Sequence, residues 1–465
     1  MYKCTLCNCS FTKKITRCPN CKEKNIIEIK SGDDYEANAI IISENNLSIE
    51  RDSSKCIGCA MCKNTCKLRE NLRDNKNFNN CVECGQCIQT CPTGALMPKC
   101  DIPKLKENIN KKICIAITAP AVRVTLGEAF GKKYGSFEEK KLVGILKKIG
   151  FKYVFDVTFG ADLTITEESH ELVDRIKNKK NLPMISSCCP SWVLYAEKYY
   201  PELLNNLSTC KSPIAMLSQI IRTYFVEKKH LKEEDIYIVA IAPCTAKKYE
   251  IKRTELLGKS ADLVITTKEL INYIKEEKYD YDKIKEENYD NLFKEGSASG
   301  YLFGASGGVT EAVIRNAYNI LTGEDLNNFE LNEIRGLDGV KEANIFIGKE
   351  EINIAIVNGL SNAKRLLEQI KKGTSKYEFI EVMNCYGGCI GGGGGPQIDI
   401  YKEAEIKEKR MESLYKKDKN KKIKSSYQNI DLINLYKKFI GKPNGKKAIK
   451  LLHTSFSDKS STIRK

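Results

Sequence analysis

Histidine is nearly missing from this chain: 465 residues hold only His170, His230 and His453. So few imidazoles leave little from which to build a haem pocket or a His-rich zinc site. Tryptophan is reduced to Trp192, which we expect to serve packing. No window reaches the roughly 18 uncharged apolar residues of a membrane span. The opening segment MYKCTLCNCSF has no apolar signal-peptide core. The expectation is a cytoplasmic protein with no membrane contact. Apolar residues as a class are not scarce. Hydrophobic residues are 42% and charged residues 29%, ordinary globular values that exclude global disorder. A length of 465 fits about three domains.

What the chain has instead is cysteine, 21 in all. In a reducing cytosol these read as metal ligands, not disulfides. Residues 1–30 carry Cys4, Cys7, Cys18 and Cys21, two C-x2-C knuckles able to form one tetrahedral four-thiolate site. The spacing suits a one-iron, rubredoxin-like carrier and a structural zinc ribbon equally, so one Fe or Zn is expected. Cys9 is an extra thiol nearby. Residues 31–46 read as a linker with a short strand around Ala39–Ser43. Two near-identical runs follow within 47–104. The first is Cys56, Cys59, Cys62 and Cys66; the second is Cys81, Cys84, Cys87 and Cys91, followed by Pro92. This is the spacing of bacterial two-cluster ferredoxins, where the fourth Cys of each run ligates the other cluster. One [4Fe-4S] cluster would use Cys56, Cys59, Cys62 and Cys91, the other Cys81, Cys84, Cys87 and Cys66. Lys67 stands where the first run often has Pro, a change in a turn and not in a ligand.

Residues 110–400 read as one large α/β domain. Apolar runs at 113–118, 153–159, 236–242, 352–358 and 379–383 are the expected strands. Amphipathic stretches at 166–178, 191–200, 213–229, 267–278, 308–322 and 361–372 alternate with them, as in parallel βαβ units. Cysteines recur at the ends of these elements: Cys188-Cys189-Pro190, Pro243-Cys244, and Cys385-x3-Cys389 before Gly391 to Gly395. Loops after strands are where α/β folds place their sites. A glycine run lets backbone approach a bulky group without Cβ clashes. No Gly-Lys-Ser/Thr follows it, which sets aside a phosphate loop. Residues 401–465 are basic: from Lys402 on, 19 Lys+Arg against 7 Asp+Glu give +12 of the total +16. Ile406, Leu414, Leu432, Leu435, Tyr436, Phe439, Leu451 and Leu452 fall at helical spacing, so a solvated basic helical cap is favoured over a nucleic-acid arm.

SSCCPSW (186–192), APCTAKKYE (242–250) and FIEVMNCYGGCIGGGGGP (379–396) resemble the three signature segments of iron-only ([FeFe]) hydrogenases. FDVTFGADLTITEE, YYPELLNNLST, SGYLFGASGGVTEA and LLHTSF are similar to other family text. The last part resembles the family's small-subunit segment, here fused, which accounts for the basic tail without nucleic acid. The resemblance implies an H-cluster, a [4Fe-4S] part bridged to a two-iron part carrying CO, cyanide and a dithiolate. Its implied ligands are Cys189, Cys244, Cys385 and Cys389, with Cys389 also bridging to the two-iron part. It implies proton delivery by Cys188, Glu168, Ser208 and Glu171, ending at Arg175. Glu168, Glu171 and Arg175 stand at i, i+3 and i+7, one helical face; without the resemblance they would read as a solvated acidic face. It further implies that Lys247 bonds a cyanide and that Ala119, Pro120, Pro243, Phe303 and Met383 surround the cluster.

The sequence departs from the usual signatures at Ser191, Ala242, Ile214 and Asn384, and has IGGGGGP where NGGGQP is usual. A divergent subgroup is the simplest account. The implied activity is reversible 2H+ + 2e− ⇌ H2, with electrons exchanged with an acidic ferredoxin through the N-terminal centres, and with maturation proteins building the two-iron part. The alternatives are a slow sensory or redox-signalling relative, and an iron–sulfur assembly protein. Retention of Cys188 and of the Cys-Cys pair weighs against both. Cys9, Cys100, Cys114 and Cys210 read as spare or buried thiols.

Overall fold

A computed structural model of the chain describes residues 39–40, 42–66, 68, 80–291, 293, 295–326, 331–347 and 350–463, with fragments 2–4, 10–11, 16–17, 24 and 26–28. Three short strands in those fragments, β1 (Tyr2–Cys4), β2 (Ser10–Phe11) and β3 (Ile26–Glu28), pair antiparallel in the order β2-β1-β3. Cys7, Cys9, Cys18 and Cys21, and the side chain of Cys4, lie outside the described residues.

The twin cysteine runs sit between two short antiparallel strands, β4 (Ile49–Arg51) and β5 (Leu96–Pro98). Each run contains one short helix, Met61–Thr65 and Gln86–Gln89. Each helix is entered through a left-handed residue, Ala60 (φ 60°) and Gly85 (φ 68°), at matching places in the two runs. The strand expected around Ala39–Ser43 is not formed among its described residues. Asn46 organises the approach to β4 instead, its Oδ1 accepting from the Ser48 (3.0 Å) and Ile49 (2.7 Å) backbone N–H groups.

The large region is built on two four-stranded sheets. The first is fully parallel: β6 (Ile113–Thr118), β7 (Tyr153–Asp156), β9 (Ile236–Ala242) and β10 (Leu263–Thr266), in the order β10-β9-β6-β7. The second contains β8 (Met184–Ile185), β11 (Val340–Ile347), β12 (Glu350–Asn358) and β13 (Phe379–Met383), in the order β11-β12-β13-β8, with only the β11–β12 pair antiparallel. Side chains alternate between two apolar cores. Ile115, Ile117, Ile238 and Ala240 face one, while Ala116, Val239 and Ile241 face the other. Strands buried on both faces read as continuous apolar runs, which is why these were legible.

Several expectations are corrected. The run 153–159 is a strand only to Asp156. A helix, Val157–Asn178, begins there because the Asp156 carboxylate caps it by accepting from Thr158 N at 2.9 Å. β8, β10 and β11 were not foreseen; β8 spans two residues and β10 four. The stretch 213–229 is helical but contains a π-turn at Ile221–Phe225. The C-terminal segment is helical at Glu403–Asn420, Ile430–Leu435 and Lys446–Leu452, with most of its described lysines exposed and most of its apolar side chains buried, but two of its cations turn inward. Lys407 and Arg410 are buried, and Arg410 bonds both oxygens of Glu128 (2.8 and 2.5 Å) and the Ile390 carbonyl (2.7 Å).

The helix Val157–Asn178 lies between the two halves. Val157, Phe159 and Leu163 belong to the core of the first sheet, and Ala161, Ile165 and Leu172 to that of the second. Gly160 allows a close crossing: a Cβ there would meet the Pro213 carbonyl oxygen at 2.2 Å.

Candidate functional site

The carboxyl ends of strands from both sheets converge on one cavity of about 820 Å³, partly open to solvent. Ala119 and Pro120 come from the end of β6, and Ala242, Pro243 and Cys244 from β9. Cys188 and Cys189 follow β8; Asn384, Cys385 and Cys389 follow β13. Lys247, Phe303 and Met383 complete the residues named from the sequence, so all of the expected cluster-binding positions line the same space. Ser191, Ile214, Ala242 and Asn384, the four departures, line it too. The remaining walls are apolar, including Ala121, Val157, Ala161 and Pro213.

The donor set fits an iron–sulfur group. Burial pushes the thiols of Cys189, Cys244, Cys385 and Cys389 up, Cys389 to about 12. Four convergent thiolates in an apolar cavity need a cation to offset their desolvation, and soft sulfur selects iron–sulfur clusters or zinc. Cys189 caps the helix Pro190–Tyr199, whose N-terminus favours a thiolate. Lys247 faces the cavity with its ammonium on both Glu250 oxygens (2.8 and 2.9 Å) and the Cys188 carbonyl (3.2 Å). Burial opposes its charge, but Glu250 overcomes this and raises it.

Behind Cys188 runs a buried polar chain. Burial, then the charge of Glu168, holds the Cys188 thiol well above its ordinary value. Glu168 is buried, and its Oε2 has no hydrogen-bond partner among the described residues. Its carboxyl is pushed up to about 8 by burial first and the Glu171 charge second, while a Ser208 hydrogen bond opposes the shift. The Ser208 hydroxyl donates to Glu171 Oε2 at 3.1 Å, and Arg175 donates to Glu171 Oε1 at 2.6 Å. Arg175 also ties down the carbonyls of Asn181, Asn205, Asn206 and Leu207.

Thiols of the two cysteine runs lie near one another. A smaller cavity is lined by Cys56, Cys59 and Cys62 from the first run and Cys91 from the second. Cys66 lies with Cys81, Cys84 and Cys87, and its charge bears on Cys84 and Cys87. This region docks on the glycine loop. Gln86 Nε2 donates to Cys385 Sγ (3.2 Å) and the Gly391 carbonyl (3.0 Å), and Gln89 Nε2 to the carbonyls of Gly392, Gly393 and Gly395. The glycines therefore serve protein–protein approach more than the cavity. A Cβ on Gly393 would meet the Cys84 carbonyl oxygen at 2.4 Å, and one on Gly392 the Pro243 oxygen at 2.4 Å.

Sequence reasoning missed Gln86 and Gln89; the only signal was two glutamines interleaved with ligands. It also missed Glu381 on β13, buried, accepting from Gly307 N (2.7 Å) and Thr310 N (2.8 Å) and so capping the helix Gly308–Thr322. Of the spare thiols, Cys100 is exposed, and Cys114 and Cys210 are buried.

Comparison with known proteins gives three family matches. Residues 112–393 match the iron-only hydrogenase large subunit, C-terminal domain; residues 404–459 the iron hydrogenase small subunit; and residues 75–97 a 4Fe-4S binding domain. Iron hydrogenase 1 of Clostridium pasteurianum is 36% identical, covering 98% of this chain and 83% of its own length. The NADP-reducing hydrogenase subunit HndD of Solidesulfovibrio fructosivorans is 37% identical over 88% of this chain and 74% of its own. A solved apo [FeFe]-hydrogenase from Chlamydomonas reinhardtii superposes with a TM-score of 0.68 at 35% identity, covering 76% of this chain and 98% of that one.

Proposed function

The chain belongs to the iron-only hydrogenase family, and from that premise we propose how its own residues carry the reaction. It is an H-cluster hydrogenase, catalysing 2H+ + 2e− ⇌ H2. We assign Cys189, Cys244, Cys385 and Cys389 as the H-cluster ligands. The observation that supports this is their convergence, from three separate loops, on one cavity. When bound, the H-cluster supplies the chemistry that joins electrons to protons, and the chain supplies orientation, dryness and proton supply. The apolar walls limit the water beside the group. Lys247 offers a cationic donor held in place by Glu250.

Protons move along the chain's own groups. Arg175 fixes Glu171 at the outer end. Glu171 exchanges a proton with the Ser208 hydroxyl, and Ser208 with Glu168. With its carboxyl near 8, Glu168 is mostly the neutral acid at pH 7 and able to donate. The Cys188 thiol, which lines the cavity, gives its own proton to that side, and the thiolate left behind is reprotonated by Glu168.

Electrons are assigned to two [4Fe-4S] clusters on Cys56, Cys59, Cys62 and Cys91, and on Cys81, Cys84, Cys87 and Cys66. Gln86 and the glycine loop join the second to the cavity. A further Fe or Zn at Cys4, Cys7, Cys18 and Cys21 is assigned from spacing alone. Domain limits at 1–30, 31–46, 47–104, 110–400 and 401–465 are assigned from the cysteine runs, the strand–helix alternation and the basic tail. The assigned electron carrier is an acidic ferredoxin, attracted by the net charge of +16.

The deciding experiment is infrared spectroscopy of anaerobically matured protein, alongside hydrogen evolution from reduced viologen. CO and cyanide stretching bands with turnover are expected. Their absence after verified maturation would overturn the ligand assignment. Turnover with ferredoxin should fall as salt rises; no salt dependence would remove ferredoxin as the carrier.

A further inference from the structure

Two residues that the hydrogen chemistry leaves unused, the thiol of Cys210 and the imidazole of His453, meet Glu171 at the outer end of the proton chain. One ligand atom from each lies within 4.8 Å of the others. Cys210 Sγ is 3.7 Å from Glu171 Oε2. Cys210 and His453 are partners in an isolated antiparallel bridge, so their side chains project from neighbouring backbone positions. That bridge is held by Lys211 N donating to the Leu452 carbonyl (2.8 Å) and Thr454 N to the Thr209 carbonyl (2.8 Å). The juxtaposition is thus fixed by backbone pairing between the large region and the C-terminal segment.

The chemistry of the three groups is that of a zinc site: thiolate sulfur, imidazole nitrogen and carboxylate oxygen. Their surroundings favour a cation. Glu167 and Glu168 precede Glu171 on the same helix, and His453 Nε2 lies 3.1 Å from Glu167 Oε2. Glu167 also accepts from the Tyr436 hydroxyl and from Asn444 N (2.7 Å). The cation already present, Arg175, is bound to Glu171 Oε1, while Oε2 accepts from the Ser208 hydroxyl (3.1 Å) and Thr209 N (3.0 Å), neutral donors, and faces Cys210. His453 Nδ1 is 2.7 Å from the Thr209 hydroxyl, a neutral partner that a metal ion would replace. Glu171 retains some exposure, 12% of its side chain, which gives an ion a way in.

We propose that Glu171, Cys210 and His453 form an inhibitory site for a zinc-class divalent cation at the mouth of the proton path. The proposal rests on the proton path assigned above. On binding, the Cys210 thiol releases its proton to solvent. The ion takes the sulfur, one imidazole nitrogen and a Glu171 oxygen, water completes the coordination, and no electrons are exchanged. Ser208 then loses the carboxylate oxygen to which it donates at 3.1 Å, and the outer link of the path is broken.

The test has two readouts on the full holoenzyme. Crystals soaked in CdCl2 should give anomalous density bonded to Cys210, His453 and Glu171; its absence there overturns the site. Turnover with reduced viologen should fall with added ZnCl2. Cys210→Ser and Cys210→Ala should each keep basal turnover and raise the half-inhibiting concentration by about 10–100-fold. Equal zinc sensitivity in both variants and the unsubstituted enzyme overturns the proposal. Cadmium bound at the three residues without inhibition overturns the inhibitory role. In that case full turnover of Glu171→Gln without zinc would show that the proton-path assignment is what failed.

Discussion

The thiols of residues 56–91 and those of the large cavity reach their positions by different routes. Around the first set, the elements are short: strands of three residues, helices of five and four. Cys62, Cys87 and Cys91 are themselves among the few buried side chains of that core, beside Ile40, Ile49, Ile88, Ala95 and Leu96. Around the second set, two sheets and their helices bury extensive apolar cores that contain none of the four proposed H-cluster ligands among their buried members. One region is specified by its ligands. The other is a scaffold that would exist without them and merely aims them.

This contrast is broken most directly by removing iron. Chelation of the holoenzyme should abolish amide protection across 47–104, because so small a core has little else to hold it. The sheets of 113–118, 236–242, 352–358 and 379–383 should stay protected. Hydrogen exchange read by mass spectrometry gives both answers at once; equal loss in the two regions would erase the distinction. Next in size, Cys188→Ala should leave both sets of clusters bound and lower turnover by about 10²–10⁴-fold. Iron content and infrared bands check the first half of that statement, and hydrogen evolution the second.

A smaller effect concerns pH. Glu168 ionises near 8 when folded, against 4.5 in the ordinary carboxylate. Between those values the folded chain holds a proton that the unfolded chain has lost. Its contribution therefore makes the fold less stable as pH rises through that window, with no further change above it. Glu168→Gln should flatten this slope in thermal midpoints taken from about pH 5 to about pH 9, since it cannot ionise. An unchanged slope would mean that the carboxyl is charged in the fold. The smallest effect lies at the seam between the regions. Gln86→Leu removes an N–H donor to Cys385 Sγ, and such donors favour the more electron-rich reduced cluster. The midpoint potential of the adjacent cluster, read by electron paramagnetic resonance, should become more negative. A potential that does not move would reduce Gln86 to a packing role.

The parts of the molecule that could be read in advance share a physical cause. Cysteine spacing is chemistry written locally, so the runs at 56–66 and 81–91 and the pairs in the large region were visible. Fully buried strands such as 113–118 and 236–242 announced themselves as apolar runs. Valine and phenylalanine at 157–159 misled, because a capping aspartate one residue earlier outweighs β propensity. The few inward-facing charges of the tail were harder to read. Composition gives the number of lysines and arginines, but not that Arg410 finds Glu128 or that Asp418 finds Arg315 and Arg335. Those pairs are separated by 83 to 282 residues and exist only once the fold is made. The role of Gln86 is likewise set by a partner 299 positions away.

The apolar lining of the cavity has one more consequence. Ala121, Val157, Ala161, Pro213, Phe303 and Met383 offer nothing that a charged particle can bind, yet small neutral gases dissolve readily among such side chains, as xenon does in dry apolar cavities. The walls therefore sort traffic by polarity: protons are left to the proposed file of titratable groups, while a gas such as dihydrogen can seep out through the packing. Dioxygen, as neutral and nearly as small, holds the same passport.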